Sequence, residues 1–339
     1  MTIKLAFAGT GGIAKVHARA ASLLNNVELA AAVNHRLGSL QSFGDEFGIR
    51  RTYLALEDLL NDGDVDALVV STPNALHAPQ TILALLQGIH VLVEKPMSMN
   101  ASQAYDMLSA SSESGAALML AHNWRFHEEV QWLQKQVQSG RLGKIVRTRG
   151  FSVHVDWGPS GWFIQKALAG GGALADMGVH AIDTARFLLG NSLGEPLPKS
   201  VYARTGTHYI DADVDDTAEL IIAWREGFYS HIEAGWWQPY AIGSEAASGV
   251  YGALGYGSLF PTQLKLRHPD GQIEMVDPGY PFPIRPGSVQ DMYEKQMAYF
   301  IDCITKDIHP VPGGMEGWIN MQIIDAAYQS AETGQTVEL

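Results

Sequence analysis

Gly9-Thr10-Gly11-Gly12-Ile13-Ala14 follows an apolar run, Ile3 to Ala8, and opens a helical pattern. The six residues fit G-x-G-x-x-G/A. Gly9 allows a tight turn, Gly11 lets the backbone approach a pyrophosphate, and Ala14 lets helix and strand pack closely. The helix N-terminus adds free N–H groups and the positive end of its dipole. Glycine turns after strands are common; the place of this one in a strand–turn–helix unit at the chain start points to dinucleotide binding. Gly9, Thr10, Gly11, Gly12 and Ile13 are therefore cofactor-binding candidates.

The residue ending the second strand of such a unit reads the adenosine ribose. An acid there bonds the ribose hydroxyls and repels a 2′-phosphate. Here the run is Asn34-His35-Arg36. Asn34 carries no charge, and Arg36 can make charge-assisted bonds to phosphate. NADP is favoured, with NAD as the alternative, and all three residues are candidates.

A second chemical grouping lies downstream. Asp176 and His180 stand four apart in Gly170-Gly171-Gly172-Ala173-Leu174-Ala175-Asp176-Met177-Gly178-Val179-His180-Ala181-Ile182-Asp183. On a helix the pair shares a face, with Asp183 nearby. The same spacing is also common in surface pairs. Before this run, His154, Asp156, Trp157 and Trp162 cluster. Polar groups beside indole faces suit a polyhydroxylated ring, and a packed aromatic strand end is the plainer reading. His154 and Trp162 are the substrate-binding candidates.

The elements that must position these groups alternate in the first third. Strand patterns run at Ile3–Ala8, Val27–Val33, Ala67–Ser71, Ile89–Val93 and Leu118–Ala121. Helical patterns run at Ile13–Leu24, Leu37–Phe47, Pro79–Gln87 and Ala101–Ser114, with a helical turn at Leu56–Leu60. Continuous apolar strands between amphipathic helices predict a parallel, doubly wound α/β sheet. After residue 122 the rhythm changes: a helix from Glu128, a strand at Lys144–Val155, a helix through Leu189, strand-like text from Val201 to Val276, and two closing helices, Gln290–Thr305 and Glu316–Glu332. The expected division is residues 1–122, a Rossmann dinucleotide-binding domain, and 123–339, an α+β substrate-binding and oligomerisation domain with a large, mostly antiparallel sheet.

Composition narrows the classes. The 339 residues suffice for two domains, and a 46% hydrophobic share fills both cores. With 23 basic against 36 acidic residues the net charge is −13, which disfavours nucleic acid and anionic membranes as partners. The single cysteine, Cys303, lies in an apolar stretch and reads as packing. No signal-peptide pattern and no long apolar run is seen, so a cytoplasmic location is expected.

Four further clusters complete the pattern: Ser71-Thr72-Pro73-Asn74 with His77, Glu94-Lys95-Pro96, Asn123-Trp124-Arg125-Phe126, and the glycine-led run ending at Asp183. In order and spacing they resemble the Gfo/Idh/MocA family, the glucose–fructose oxidoreductase and inositol dehydrogenase group. Asp216-Thr217-Ala218, Tyr251-Gly252 and Ala327-Tyr328-Gln329-Ser330-Ala331 extend the resemblance over nearly the whole chain. It implies an NAD(P)-dependent oxidoreductase acting on a sugar, cyclitol or related polyol. It implies that Ser71, Thr72, Asn74, His77, Glu94, Lys95 and Arg125 line the cofactor site, often with a cis peptide before the proline. It implies that His180 is the general acid/base, that Lys95 bonds the reacting oxygen, and that Asp176 assists, all three touching substrate. It further implies no metal, and a homodimer or homotetramer built through the C-terminal sheet. The same family offers NAD-dependent glycosidases and non-catalytic NAD(P)-binding regulators as alternatives. One departure is Phe163, where several members carry arginine after the tryptophan.

Other features read as structural. Asp211, Asp213, Asp215 and Asp216 look like a solvated acidic turn. His122 and His127 lack a third zinc ligand. Trp236 and Trp237 would point to opposite faces of a strand.

Overall fold

The computed structural model describes residues 2–190, 194–238, 247–282 and 288–339. The chain divides into two compact units: Met1–Asn123 with Val289–Trp318, and Trp124–Ser288 with Ile319–Leu339.

In the first unit, β1 (Ile3–Ala8), α1 (Gly12–Ser22), β2 (Val27–Val33), α2 (Leu37–Phe47), β3 (Arg51–Tyr53), α3 (Leu56–Asp62), β4 (Ala67–Val70), α4 (His77–Leu85), β5 (His90–Val93), α5 (Ala101–Ser114) and β6 (Leu118–Leu120) follow in order. The strands form one parallel sheet, β3-β2-β1-β4-β5-β6. This is the Rossmann order, whose direction reverses between β1 and β4. Nearly every residue of β1 and every residue of β4 is buried, as expected of apolar strands covered on both faces. The strand β3 is missing from the sequence reading because it is three residues long, Arg51-Thr52-Tyr53, and none of them is buried.

The second unit opens with α6 (Glu128–Gln138) and β7 (Ile145–Val153). It continues through α7 (Lys166–Ala169), α8 (Val179–Leu189), β8 (Pro198–Gly206), β9 (Thr217–Trp224), β10 (Tyr229–Gly235), β11 (Ser248–Gly252), β12 (Gly255–Leu259), β13 (Gln263–Arg267) and β14 (Ile273–Val276). The chain closes with α9 (Ser288–Lys306), α10 (Gly314–Thr333) and β15 (Val337–Glu338). The nine strands β7 to β15 make one sheet, order β14-β13-β12-β11-β7-β10-β9-β8-β15, antiparallel except for β7 against β10. Strand β9 alternates buried and outward residues, with Leu220 and Ile222 inward, Glu219 and Ile221 outward. Glycines seat the helical layer against the inner face: a Cβ on Gly150 of β7 would lie 2.9 Å from Ala181 Cβ of α8. Val130, Leu133, Leu142, Leu188, Val250, Leu259 and Leu264 form the core beneath.

Residues 289–318, expected within the second domain of residues 123–339, pack with the first unit. Tyr293 of α9 meets His17 edge-on, the Leu120 N–H donates to the Pro312 carbonyl at 3.0 Å, and Gly313 bridges Met119 of β6. The returning segment thus pairs with the edge strand β6. Phe300, Ile301 and Cys303 of α9 are buried, so the thiol is a packing group.

Candidate active site

The phosphate turn stands at the switch point between β1 and β4. Gly9 has φ +93°, and a Cβ there would lie 2.5 Å from the Ser71 carbonyl oxygen in the loop after β4. Glycine is required at this position by both conformation and space. Gly11, the N-cap of α1, is different: a Cβ on Gly11 or Gly12 would meet nothing within 4 Å among the described residues. Packing among the described residues does not ask for these two glycines, and the open space beside them fits the approach of a pyrophosphate. The first turn of α1 holds no acid, and no side chain caps its N–H groups. Turn and helix fit a dinucleotide.

At the end of β2, Asn34 Nδ2 donates to Thr10 Oγ1 at 2.5 Å, and Asn34 Oδ1 accepts the Arg36 N–H at 3.0 Å. Thr10 Oγ1 also lies 2.8 Å from Ser39 Oγ. His35 and Arg36 are exposed. Ser39 escapes the sequence reading; its signal is its place in the first turn of the helix that Arg36 caps. Ile13 is half-buried on α1.

In the loops after β4 and β5, Ser71 Oγ donates to the Ala8 carbonyl at 3.2 Å and Thr72 Oγ1 to Gln80 at 2.8 Å, while Asn74 is buried. The Lys95–Pro96 peptide is cis, and Lys95 is half-buried. Two residues expected to line the cofactor site have buried partners of their own. His77 is buried with Nδ1 2.9 Å from the Pro96 carbonyl and Nε2 2.9 Å from the Thr72 carbonyl. Glu94 is buried with Oε1 2.7 Å from His17 Nε2 and Oε2 accepting the Lys95 N–H at 3.2 Å. Burial pushes the Glu94 carboxyl up, but the His17 bond and the His17 and Lys95 charges outweigh it and hold the group below the usual carboxylate range.

Arg125, also expected at the cofactor, has acidic partners. It is buried, and its Nε and Nη2 grip the Asp183 carboxylate at 2.7 Å each, while Nη1 and Nη2 bond Glu195 at 2.5 and 3.1 Å. Asp183 also accepts from Asn320 at 3.0 Å. The guanidinium fork is spent inside the second unit, and Asp183 is its structural counter-ion. Removing one partner of such a buried pair costs about 3–5 kcal/mol.

The run carrying Asp176 and His180 is not one regular helix. Leu174–Gly178 is a single π-helical turn that passes directly into α8, so Asp176 stands in the π turn and His180 in the α-helix. Both are buried, and Trp236 Nε1 donates to Asp176 Oδ2 at 3.0 Å. Trp236 and Trp237 are not strand residues: β10 stops at Gly235, Trp236 is buried, and Trp237 has φ +54° and is exposed.

The acidic run is also more structural than it reads. Asp211 and Asp213 are exposed, whereas Asp215 and Asp216 are buried. Asp215 accepts from the Gly172 and Leu174 N–H groups at 2.9 and 2.8 Å and from Tyr328 at 2.7 Å. Burial nevertheless pushes its carboxyl up. A Cβ on Gly172 would lie 1.8 Å from the Asp215 carbonyl oxygen, so the glycine run serves this approach. Asp216 gathers the N–H groups of His208, Tyr209 and Ile210 at 2.8, 2.6 and 3.1 Å.

Two ring stacks follow β7. His154 stacks on Trp157 at 3.6 Å and Trp162 on Phe163 at 3.8 Å. Trp157 and Asp156 are exposed, and the other three are half-buried. Among the described residues, no group of three or more His, Cys, Asp or Glu is placed to hold a metal ion.

Residues 3–122 match the model described as oxidoreductase family, NAD-binding Rossmann fold, and residues 130–255 match the GFO/IDH/MocA C-terminal domain. A D-xylose 1-dehydrogenase (NADP(+)) from Haloferax volcanii is 30% identical over 340 residues, covering 98% of each chain. The chain belongs to the Gfo/Idh/MocA oxidoreductase family. Among other family members, D-glucoside 3-dehydrogenase of Escherichia coli is 28% identical, covering 99% of this chain and 97% of its own. A levoglucosan dehydrogenase solved with NADH and levoglucosan shares the fold with a TM-score of 0.88 at 22% identity, covering 100% of this chain and 99% of its own.

Proposed function

We propose that the protein is an NADP-preferring dehydrogenase or reductase, also able to use NAD, that moves a hydride to or from one carbon of a neutral sugar or cyclitol. The observation that carries this reading is the phosphate turn, with two glycines the fold itself does not need, in a chain that retains Lys95, Asp176 and His180. NADP preference is supported by a neutral Asn34 where NAD enzymes place an acid and by an exposed Arg36 beside it. The two ring stacks and the absence of an arginine at Phe163 support an uncharged, polyhydroxylated substrate.

A bound nicotinamide supplies the hydride acceptor or donor. During oxidation the carbon loses its hydrogen as hydride, and His180 takes the hydroxyl proton; in reduction His180 returns it. Lys95 donates a hydrogen bond to the same oxygen and stabilises negative charge developing there. Asp176, fixed by the Trp236 N–H, orients the substrate hydroxyls or the imidazole. Asn74 and Thr72 border the ring from the loop after β4, and His154 and Trp162 contact the sugar.

The test is a screen of polyols, aldoses and keto-sugars with both cofactors. One equivalent of reduced nicotinamide per oxidised substrate is expected. Cleavage of a glycoside with the cofactor retained, or cofactor binding without turnover on any substrate, would overturn it.

A second copy of the chain is the proposed partner, docking on the outer sheet face. Ile221 and Tyr229 are 46% and 43% exposed there, on strands whose inner residues are fully buried.

A further inference from the structure

A line of buried polar contacts in the first unit ends at Lys95. His17 lies on α1, the helix whose first turn forms the phosphate cradle, and it is wholly buried. Its Nε2 is 2.7 Å from Glu94 Oε1, while its buried Nδ1 has no hydrogen-bond partner among the described residues. Nε2 therefore donates to the carboxylate, which when ionised can only accept. The other oxygen of Glu94 accepts the Lys95 N–H. On the far side of the same dipeptide, His77 sets its two ring nitrogens against the carbonyls of Pro96 and Thr72. Lys95-Pro96 is thus held at its N–H by Glu94, and its final carbonyl abuts the His77 ring, whose N–H can donate to the Pro96 or the Thr72 carbonyl.

These groups are expensive for a fold to keep. A buried carboxylate and two buried imidazoles carry desolvation costs that apolar side chains of similar volume avoid. Packing alone would be served by leucine. What apolar residues cannot do is fix a particular N–H and a particular carbonyl in space.

We propose that His17, Glu94 and His77 are positioning residues for Lys95, registering its backbone against the phosphate cradle through α1. The inference rests on the reading that Lys95 acts on the substrate oxygen. Glu94 and His77 then touch neither cofactor nor substrate. They act through the lysine, whose ammonium must meet one oxygen within a narrow tolerance.

Two substitutions at His17 separate positioning from filling space. His17→Gln keeps an N–H donor near the place of Nε2, and His17→Leu keeps the bulk without it. His17→Leu should lower kcat about 10–100-fold and shift the pH–rate profile, with the dinucleotide Kd, read by fluorescence, changed less than about threefold, within one factor of ten set by 1.4 kcal/mol. His17→Gln should recover most of the rate. On a Lys95→Met background, His17→Leu should cost no further kcat. Glu94→Gln, read the same way, serves if the leucine variant does not fold. The proposal is overturned if leucine matches or exceeds glutamine in kcat, or if the losses multiply on the Lys95→Met background. If Lys95→Met itself turns over at the normal rate, the role of Lys95 falls and this inference with it. That outcome is distinct, because it is seen before any His17 variant is made.

Discussion

At the residue scale, charge and direction decide what each side chain can do. Arg36 is exposed at the start of α2, and its amide is turned by Asn34, leaving the guanidinium to solvent or phosphate. A charge-assisted bond is worth about 1.5–3 kcal/mol, so Arg36→Ala should weaken NADP about 10–100-fold and leave NAD unchanged. Titration with both cofactors checks this; equal weakening would reject the 2′-phosphate assignment. Glu94 offers a pH test. Its carboxyl is held below the usual range in the fold. Its contribution to stability is therefore complete above the unfolded value of about 4.3 and is lost as pH falls through the lowered folded value. Urea midpoints measured from neutral to acid pH should fall more steeply for the native protein than for Glu94→Gln. Parallel curves would show that the His17 contact does not hold the charge.

Much at this scale was legible in residue types and spacing, and side-chain direction was not. Gly9, Gly11, Asn34 and Lys95 stand out from motif and position. Glu94, His77 and Arg125 belong to the same motifs, yet their polar atoms face inward, because His17, the Pro96 carbonyl and Asp183 sit beside them only after folding. Asp215 and Asp216 likewise read as solvated acids until the backbone N–H groups they satisfy are brought around them.

At the element scale, the phosphate turn separates two kinds of glycine. Gly9 answers to the fold, since both its positive φ and the Ser71 carbonyl exclude a side chain. Gly11 has φ −79° and open space around it. Gly11→Ala should therefore hold or raise stability by about 0.4–1 kcal/mol while weakening the dinucleotide at least about tenfold, a loss near 1.4 kcal/mol. Gly9→Ala should instead lower the melting temperature. Thermal melts and cofactor titrations of both variants check the pair; a Gly11→Ala protein that binds normally would remove the turn from the cofactor site. The helix and strand limits around this turn were readable because apolar periodicity is local. The π turn at Leu174–Gly178 was not, since its hydrogen-bond register leaves no mark on residue spacing. Nor was β3, whose three residues carry no apolar alternation.

At the scale of the whole molecule, the two sheets were foreseeable from the change of rhythm near residue 122, but the chain's return was not. Nothing in the pattern of α9 says which sheet its apolar face covers, and that is a long-range choice made at the edge of β6. The nine-stranded sheet is covered on one face by α8 and leaves Ile221 and Tyr229 outward on the other. Placing a charge at Ile221 should leave the melting temperature of each protomer close to native and shift the sedimenting species toward monomer. A native assembly that keeps its mass in the Ile221→Glu variant would put the contact elsewhere. Among the described residues, no helix is long and apolar enough to cross a membrane.

In the proposed reaction His180 exchanges a proton as hydride moves between substrate and nicotinamide. The most direct measurement is turnover of His180→Ala against the native enzyme, on whichever sugar or cyclitol yields one reduced nicotinamide per molecule oxidised. The expected result is a loss of about 10²–10⁴ in kcat, unchanged dinucleotide affinity, and disappearance of the native pH–rate limb. A folded variant that turns over at nearly the native rate with the same pH profile would contradict it.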